Sequence, residues 1–186
     1  MTQFEFITVA QSLVLGLGVA LLLTSALTAF RHRHATRLDW ISLTWAGCIF
    51  VSQMQFWWAM GFLVDDLTIM SGPAFTLTIV QTIMLFVAGG LILPQDSRDL
   101  GNDLGAHFDR DGRFGVIAYG VYWVAGLAGN IMLHGRDLFE PLHSTVFALI
   151  LLCFLTGARP RVRSLATTLA VIVLVANTLW PRPGVF

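Results

Sequence analysis

The chain has 186 residues, 56% hydrophobic and 12% charged, with basic and acidic residues balanced at 11 each and every basic residue an arginine. That length suits one domain, and the apolar share is well above soluble-protein usage. Balanced charge gives no basis for a nucleic-acid partner, and without lysine there can be no Schiff base, lysine-dependent covalent catalysis or P-loop.

Six long stretches carry no charge: between Glu5 and Arg31, Asp39 and Asp65, Asp66 and Asp96, Arg113 and Arg136, Glu140 and Arg159, and Arg163 and Arg182. A run of about 20 apolar residues spans a bilayer as a helix with its backbone satisfied. The expected fold is therefore an all-α, polytopic membrane bundle forming a single transmembrane domain. Its six spans fall at about 6–30, 40–64, 70–93, 114–134, 140–158 and 164–181. The opening Met-Thr-Gln-Phe-Glu-Phe has no basic n-region, so the first run reads as a retained helix rather than a cleaved signal.

In the first span Ser12, Gly16, Ala20, Thr24 and Thr28 recur at every fourth residue. Small residues let a neighbouring helix approach closely, within the bundle or between subunits; a wall of a narrow pathway is the functional alternative. Span two carries Thr44, Cys48, Ser52 and Gln55, with Gln53 beside them, and ends near Trp57 and Trp58. Span three carries Thr78, Gln81 and Thr82 after a Gly72-Pro73 start, and Pro94 closes it. Amides and hydroxyls lose free energy facing lipid, so they are expected to point inward, as interhelical glue or as the lining of a hydrated centre. Tyr122 and Asn130 in span four and Asn177 in span six are candidates for the same centre.

The segment 94–113 contains Asp96, Asp99, Asp103, Asp109 and Asp111. Leu100, Leu104 and Phe108 recur every four residues, which predicts a short amphipathic helix on the cytoplasmic interface. Asp99, Asp103 and His107 share a face at divalent-cation spacing, against the simpler reading of a solvated polar face. Asp109-Arg110-Asp111-Gly112 is not a calcium loop, because His107 stands at its first position and Ala118 at its twelfth.

Arginine sorts by turn. Arg31, Arg33 and Arg37 follow span one, Arg98, Arg110 and Arg113 follow span three, and Arg159, Arg161 and Arg163 follow span five; the other side holds only Arg136 and Arg182. The positive-inside rule then places the three arginine-rich turns in the cytoplasm and both chain ends outside. Trp57, Trp58 and Trp180 fit an outer aromatic belt, and Trp40 an inner one. His32 and His34 fall in the first of these turns, solvated or near anionic headgroups.

No Asp, Glu, Arg or His lies in the middle of a span, which argues against an ion-coupled pump or transporter. Glu140 and His143, one turn apart, form a candidate outer vestibule; the plainer reading is a helix-start acid beside an interfacial histidine. A b-type haem between His134 and His143 is not expected, since both sit at helix ends with no second pair. Cys48 and Cys153 fall inside apolar runs, as packing residues. No nucleophile, metalloprotease or phosphate-loop motif is present, so no catalytic, metal or cofactor residues are assigned.

Three segments together carry a resemblance: Ser12-Leu-Val-Leu-Gly-Leu-Gly-Val-Ala, Gln53-Met-Gln-Phe-Trp-Trp58 and Asp103-Leu-Gly-Ala-His-Phe108. They resemble a group of small bacterial multi-pass membrane proteins usually described only as hypothetical, with Gln-Phe-Trp-Trp the most specific element. Asp109-Arg-Asp-Gly-Arg-Phe114 departs from the more basic, aromatic stretch expected there. The resemblance implies a bacterial inner-membrane setting and supplies no site residues. The leading functional expectation is passive permeation or binding of water, a small neutral solute or an anion, by a homo-oligomer. The alternative is a non-transporting sensor or accessory subunit that docks a membrane-protein partner.

Overall fold

A computed structural model describes residues 3–66, 72–96, 103–134 and 141–179. Its regular elements are helices, with one isolated bridge between Arg37 and Asp103. They are α1 (Gln3–Arg31), α2 (Trp40–Asp66), α3 (Gly72–Ile92), α4 (Leu104–His107), a π-helical turn (Phe108–Gly112), α5 (Arg113–His134), α6 (Pro141–Ala158), a 3-10 turn (Pro160–Val162) and α7 (Arg163–Leu179). Among the described residues, three helical stretches are long and apolar enough to cross a membrane: 7–31, 75–92 and 104–132. Residues 145–158 form a shorter apolar helix. Helix α2 interleaves Ser42, Thr44, Ser52, Gln53 and Gln55 with its apolar residues and is not among these three stretches.

Helix α3 is central, packing on α1, α2 and α5; α6 lies against α5 and α7, and α7 returns to α2. The inward face of α1 is Gln11, Leu15, Gly18, Leu22, Ser25 and Ala29, all buried. Their spacing alternates four and three residues, the pattern that holds one side of a helix against a neighbour. Contact is close enough to involve backbone. A Cβ on Gly18 would lie 3.3 Å from Phe86 Cα, one on Gly89 would lie 3.3 Å from the Gly18 carbonyl oxygen, and one on Gly115 would lie 3.1 Å from Ala88 O. The small-residue logic of membrane helix packing is thus realised inside the bundle at Gly18, Gly89 and Gly115. Gly16, Ala20 and Thr24 lie on the exposed side of α1, and a Cβ on Gly16 would meet nothing within 4 Å.

The three arginine-bearing turns meet at one end. Leu104 N–H donates to Arg37 O (3.0 Å), His107 Nε2 bonds Leu91 O (3.2 Å), and Arg163 donates to Asp109. Asp39 caps α2, accepting from Ser42 N (3.0 Å) and Ser42 Oγ (2.7 Å), and so satisfies a first-turn donor. The segment expected as an interfacial amphipathic helix is arranged differently. From Leu104 the chain is helical and runs through the π turn into α5, with Leu104 and Phe108 fully buried. Their apolar face turns into the bundle rather than outward. Gly112 permits this, since a Cβ there would press within 3.0 Å of the Phe108 ring. Leu100 and Asp99 lie outside the described residues.

Candidate functional site

The polar side chains of the interior bond across helices in several directions. Ser52 Oγ and Tyr119 Oη, both at 0% exposure, are 2.6 Å apart and join α2 to α5. Gln11 Nε2 donates to Thr78 Oγ1 (2.9 Å), and Thr78 donates onward to Phe75 O (2.9 Å), joining α1 to α3. Trp45 Nε1 donates to the buried Thr167 Oγ1 (3.0 Å), and at the exposed surface Gln55 Nε2 donates to Thr178 Oγ1 (2.7 Å), two links from α2 to α7. Thr82 returns its hydroxyl to Thr78 O on its own helix.

Gln53, also fully buried, inserts its amide between Gly18 and Gly89. Nε2 donates to Leu85 O at 3.3 Å and would lie 3.0 and 3.1 Å from a Cβ on either glycine. Gln81 uses Gly126 in the same way, its Nε2 2.8 Å from where a Cβ would stand. Among the described residues, Gln11 Oε1, Gln53 Oε1 and the hydroxyls of Thr8, Ser25 and Thr156 are buried without a hydrogen-bond partner. Thr44 and Ser12 are partly buried, and Asn130 is exposed, away from this centre. The expected polar positions therefore do not converge on one lumen; they are distributed over separate helix pairs.

Around Ser52–Tyr119 lies an aromatic cluster. Tyr119 stacks on Tyr122 at 5.8 Å between centroids, with Trp45 and Trp123 edge-on to Tyr119 and Phe56 edge-on to Tyr122. Such pairs add roughly 0.5–1.5 kcal/mol beyond area burial and favour one fixed arrangement. Cys48 and Cys153 are free thiols buried in the same core.

Among the described residues a concave surface lies elsewhere, at the arginine-rich end. A cavity of about 310 Å³ is lined by Gly90 and Leu91 of the last turn of α3, by Leu93, Pro94, Gln95 and Asp96 after it, by His107 at the end of α4, and by Arg110 and Asp111 of the π turn. π-Helical turns recur at functional sites because they re-aim side chains that an α-helix would send elsewhere. His107, the residue before the turn, reaches inward to Leu91 O, its Nδ1 3.6 Å from Asp111 Oδ2 within the turn, while Arg110 Nε holds Asp111 at 2.7 Å. Gln95 Nε2 donates to Gly90 O (3.1 Å), covering one carbonyl of the helix end. Of the charged groups in this lining, Arg110 and Asp111 are paired with each other, and His107 is bonded to Leu91 O.

Among the described residues no three metal-ligating side chains converge. Asp103 instead caps Gly105 N (2.8 Å), and Asp109 engages Arg163. Glu140 and the side chains of His134, His143 and Asn177 lie outside the described residues, as does Trp180. The residues that sequence reasoning misses are Gln11, Gly18, Gly89, Tyr119 and Thr167. The first two share the four-three spacing of α1, which is a usable signal; the others have none without knowing which helices touch. Neither a protein-family model, nor a curated protein, nor a solved structure matches this chain.

Proposed function

We propose that this is a six-span protein of a bacterial inner membrane, with both ends outside, acting as a non-transporting sensor or accessory subunit. On this reading the arginine-rich end, with its cavity at the π turn, faces the cytoplasm and makes the functional contact. The observation that supports it is the disposition of the polar interior. Ser52, Gln11 and Trp45 each bond a partner on another helix, which favours glue over a water-filled path. The six-span topology is supported by the meeting of all three arginine-bearing turns at one end. The bacterial setting follows the resemblance of the Gln-Phe-Trp-Trp cluster. The outward face of α1, with Gly16 and Ala20, is where a second copy or a partner helix would dock.

Two measurements test this. Liposomes carrying the purified protein are expected to pass water, a neutral solute and small anions no faster than empty vesicles. Mild-detergent purification is expected to retain a stoichiometric partner. Solute flux above background, with a lone homogeneous species after purification, would restore permeation in place of this proposal.

A further inference from the structure

At the arginine-rich end the acids and the arginines are not used alike. Asp39 caps α2, Asp103 caps α4, Asp109 holds Arg163, and Asp111 holds Arg110. Of the described carboxylates at this end, only Asp96 is left without such a role. Six arginines point outward with no acidic partner among the described residues: Arg31, Arg33, Arg37, Arg113, Arg159 and Arg161. Eight described arginines against five aspartates leave this end net positive, and the local engagement of four of those aspartates leaves six guanidiniums without an acidic partner.

These guanidiniums have apolar company. Phe30, Leu38, Trp40, Phe114 and Val162 are all exposed, each within three positions of one of the six along the chain. Arg33 sits over the Phe30 ring at 4.3 Å and Arg113 over the Phe114 ring at 4.8 Å. Arginine with its stem along apolar surface and its head in a polar layer is the arrangement of a membrane interface. A nucleic acid would satisfy the guanidiniums but leave the hydrocarbon and rings in water. An anionic phospholipid satisfies both, with phosphate on arginine and acyl chain beside Phe30, Trp40 and Phe114. The opposite side is acidic in sequence, with Glu5, Asp65, Asp66, Asp137 and Glu140 against Arg136 and Arg182.

We propose that this end of the bundle is a docking surface for anionic phospholipid headgroups, carried by its excess of unpaired arginines beside exposed apolar side chains. The inference rests on the membrane reading above and adds to it a lipid class. Juxtamembrane basic residues are attracted to an anionic leaflet, each by an amount that makes a pair of them measurable.

The test uses the full chain reconstituted in phosphatidylcholine discs and in discs of equal phosphatidylcholine and phosphatidylglycerol. The readouts are thermal midpoint and the lipid retained after extraction in mild detergent. The mixed bilayer is expected to raise the midpoint, and phosphatidylglycerol to be enriched in the retained lipid. Arg159→Gln combined with Arg161→Gln is expected to reduce that enrichment by on the order of tenfold. The same pair changed to Lys should restore it, and the midpoint in phosphatidylcholine alone should stay unchanged. Where the double Gln variant fails to fold, Arg113→Gln carries the same comparison. Equal lipid retention by the wild-type chain would overturn the proposal, as would inorganic phosphate in phosphatidylcholine discs reproducing the shift. A chain that enters neither bilayer would sink the membrane reading itself, a different result from insertion without lipid preference.

Discussion

Gly16 and Gly18 stand two residues apart on α1, yet one faces out of the bundle and the other is pressed between α2 and α3. The difference shows that in this chain a small residue is informative only together with the helix face that carries it. At Gly18 the space is occupied by the Gln53 amide and the Phe86 backbone; at Gly16 there is nothing within reach of a Cβ. One glycine is a packing requirement of the monomer, and the other is available to a second molecule. Substitutions at and between these two faces separate the contributions.

The largest effect is expected from Gly18→Leu. Its Cβ alone would lie 3.0 Å from Gln53 Nε2 and 3.3 Å from Phe86 Cα, and a backbone atom cannot rotate away. Overpacking typically costs about 1–3 kcal/mol, toward the upper end where backbone is in the way, against roughly 1 kcal/mol recovered by replacing glycine in a helix interior. Denaturant unfolding in mild micelles, followed by circular dichroism, should show a strongly lowered midpoint. A wild-type midpoint would mean that α1 and α3 are not packed through Gly18 and Gly89.

A smaller loss is expected at the α2–α5 contact. Tyr119→Phe keeps the ring stack on Tyr122 but removes the hydroxyl that faces Ser52 at 2.6 Å. In membrane proteins such interhelical bonds are worth about 1 kcal/mol, because the unfolded chain also finds partners in the bilayer. The double variant with Ser52→Ala should cost little more than Tyr119→Phe alone, since the two hydroxyls serve each other. Additive losses in that cycle would show that Ser52 and Tyr119 act independently.

Helical character is legible in this sequence because charge-free runs of span length leave few alternatives to a helix. The inward face is harder to read, for a geometric reason. A strict every-fourth pattern such as Ser12, Gly16, Ala20, Thr24 and Thr28 turns by about 40° at each step on a 3.6-residue helix, so it winds around the rod. The alternating pattern Gln11, Leu15, Gly18, Leu22, Ser25 and Ala29 drifts only about 20° per seven residues and stays against a neighbour. The polar positions Ser52, Gln53 and Thr78 are legible as inward-facing because lipid penalises them. Their partners are not, because Tyr119, Leu85 O and Gln11 are set by which helices touch. The π turn is missed for a similar reason: Leu104 and Phe108 show an apolar face, but only contact with the α3 end and the room left by Gly112 direct that face inward.

The smallest effect on the monomer is expected at the outward glycine. Gly16→Leu adds a side chain where nothing lies within 4 Å, so the unfolding free energy should change by less than about 1 kcal/mol, with the midpoint rising if helix propensity decides it. Size-exclusion chromatography with light scattering then reads the other possibility. If a second copy or a partner helix packs on the Gly16–Ala20 face, the leucine should dissociate that complex while the monomer stays folded. An unchanged assembly with an unchanged midpoint would assign this face to lipid. A lost fold would mean that the face is buried within the bundle, and the contrast between Gly16 and Gly18 would then fail.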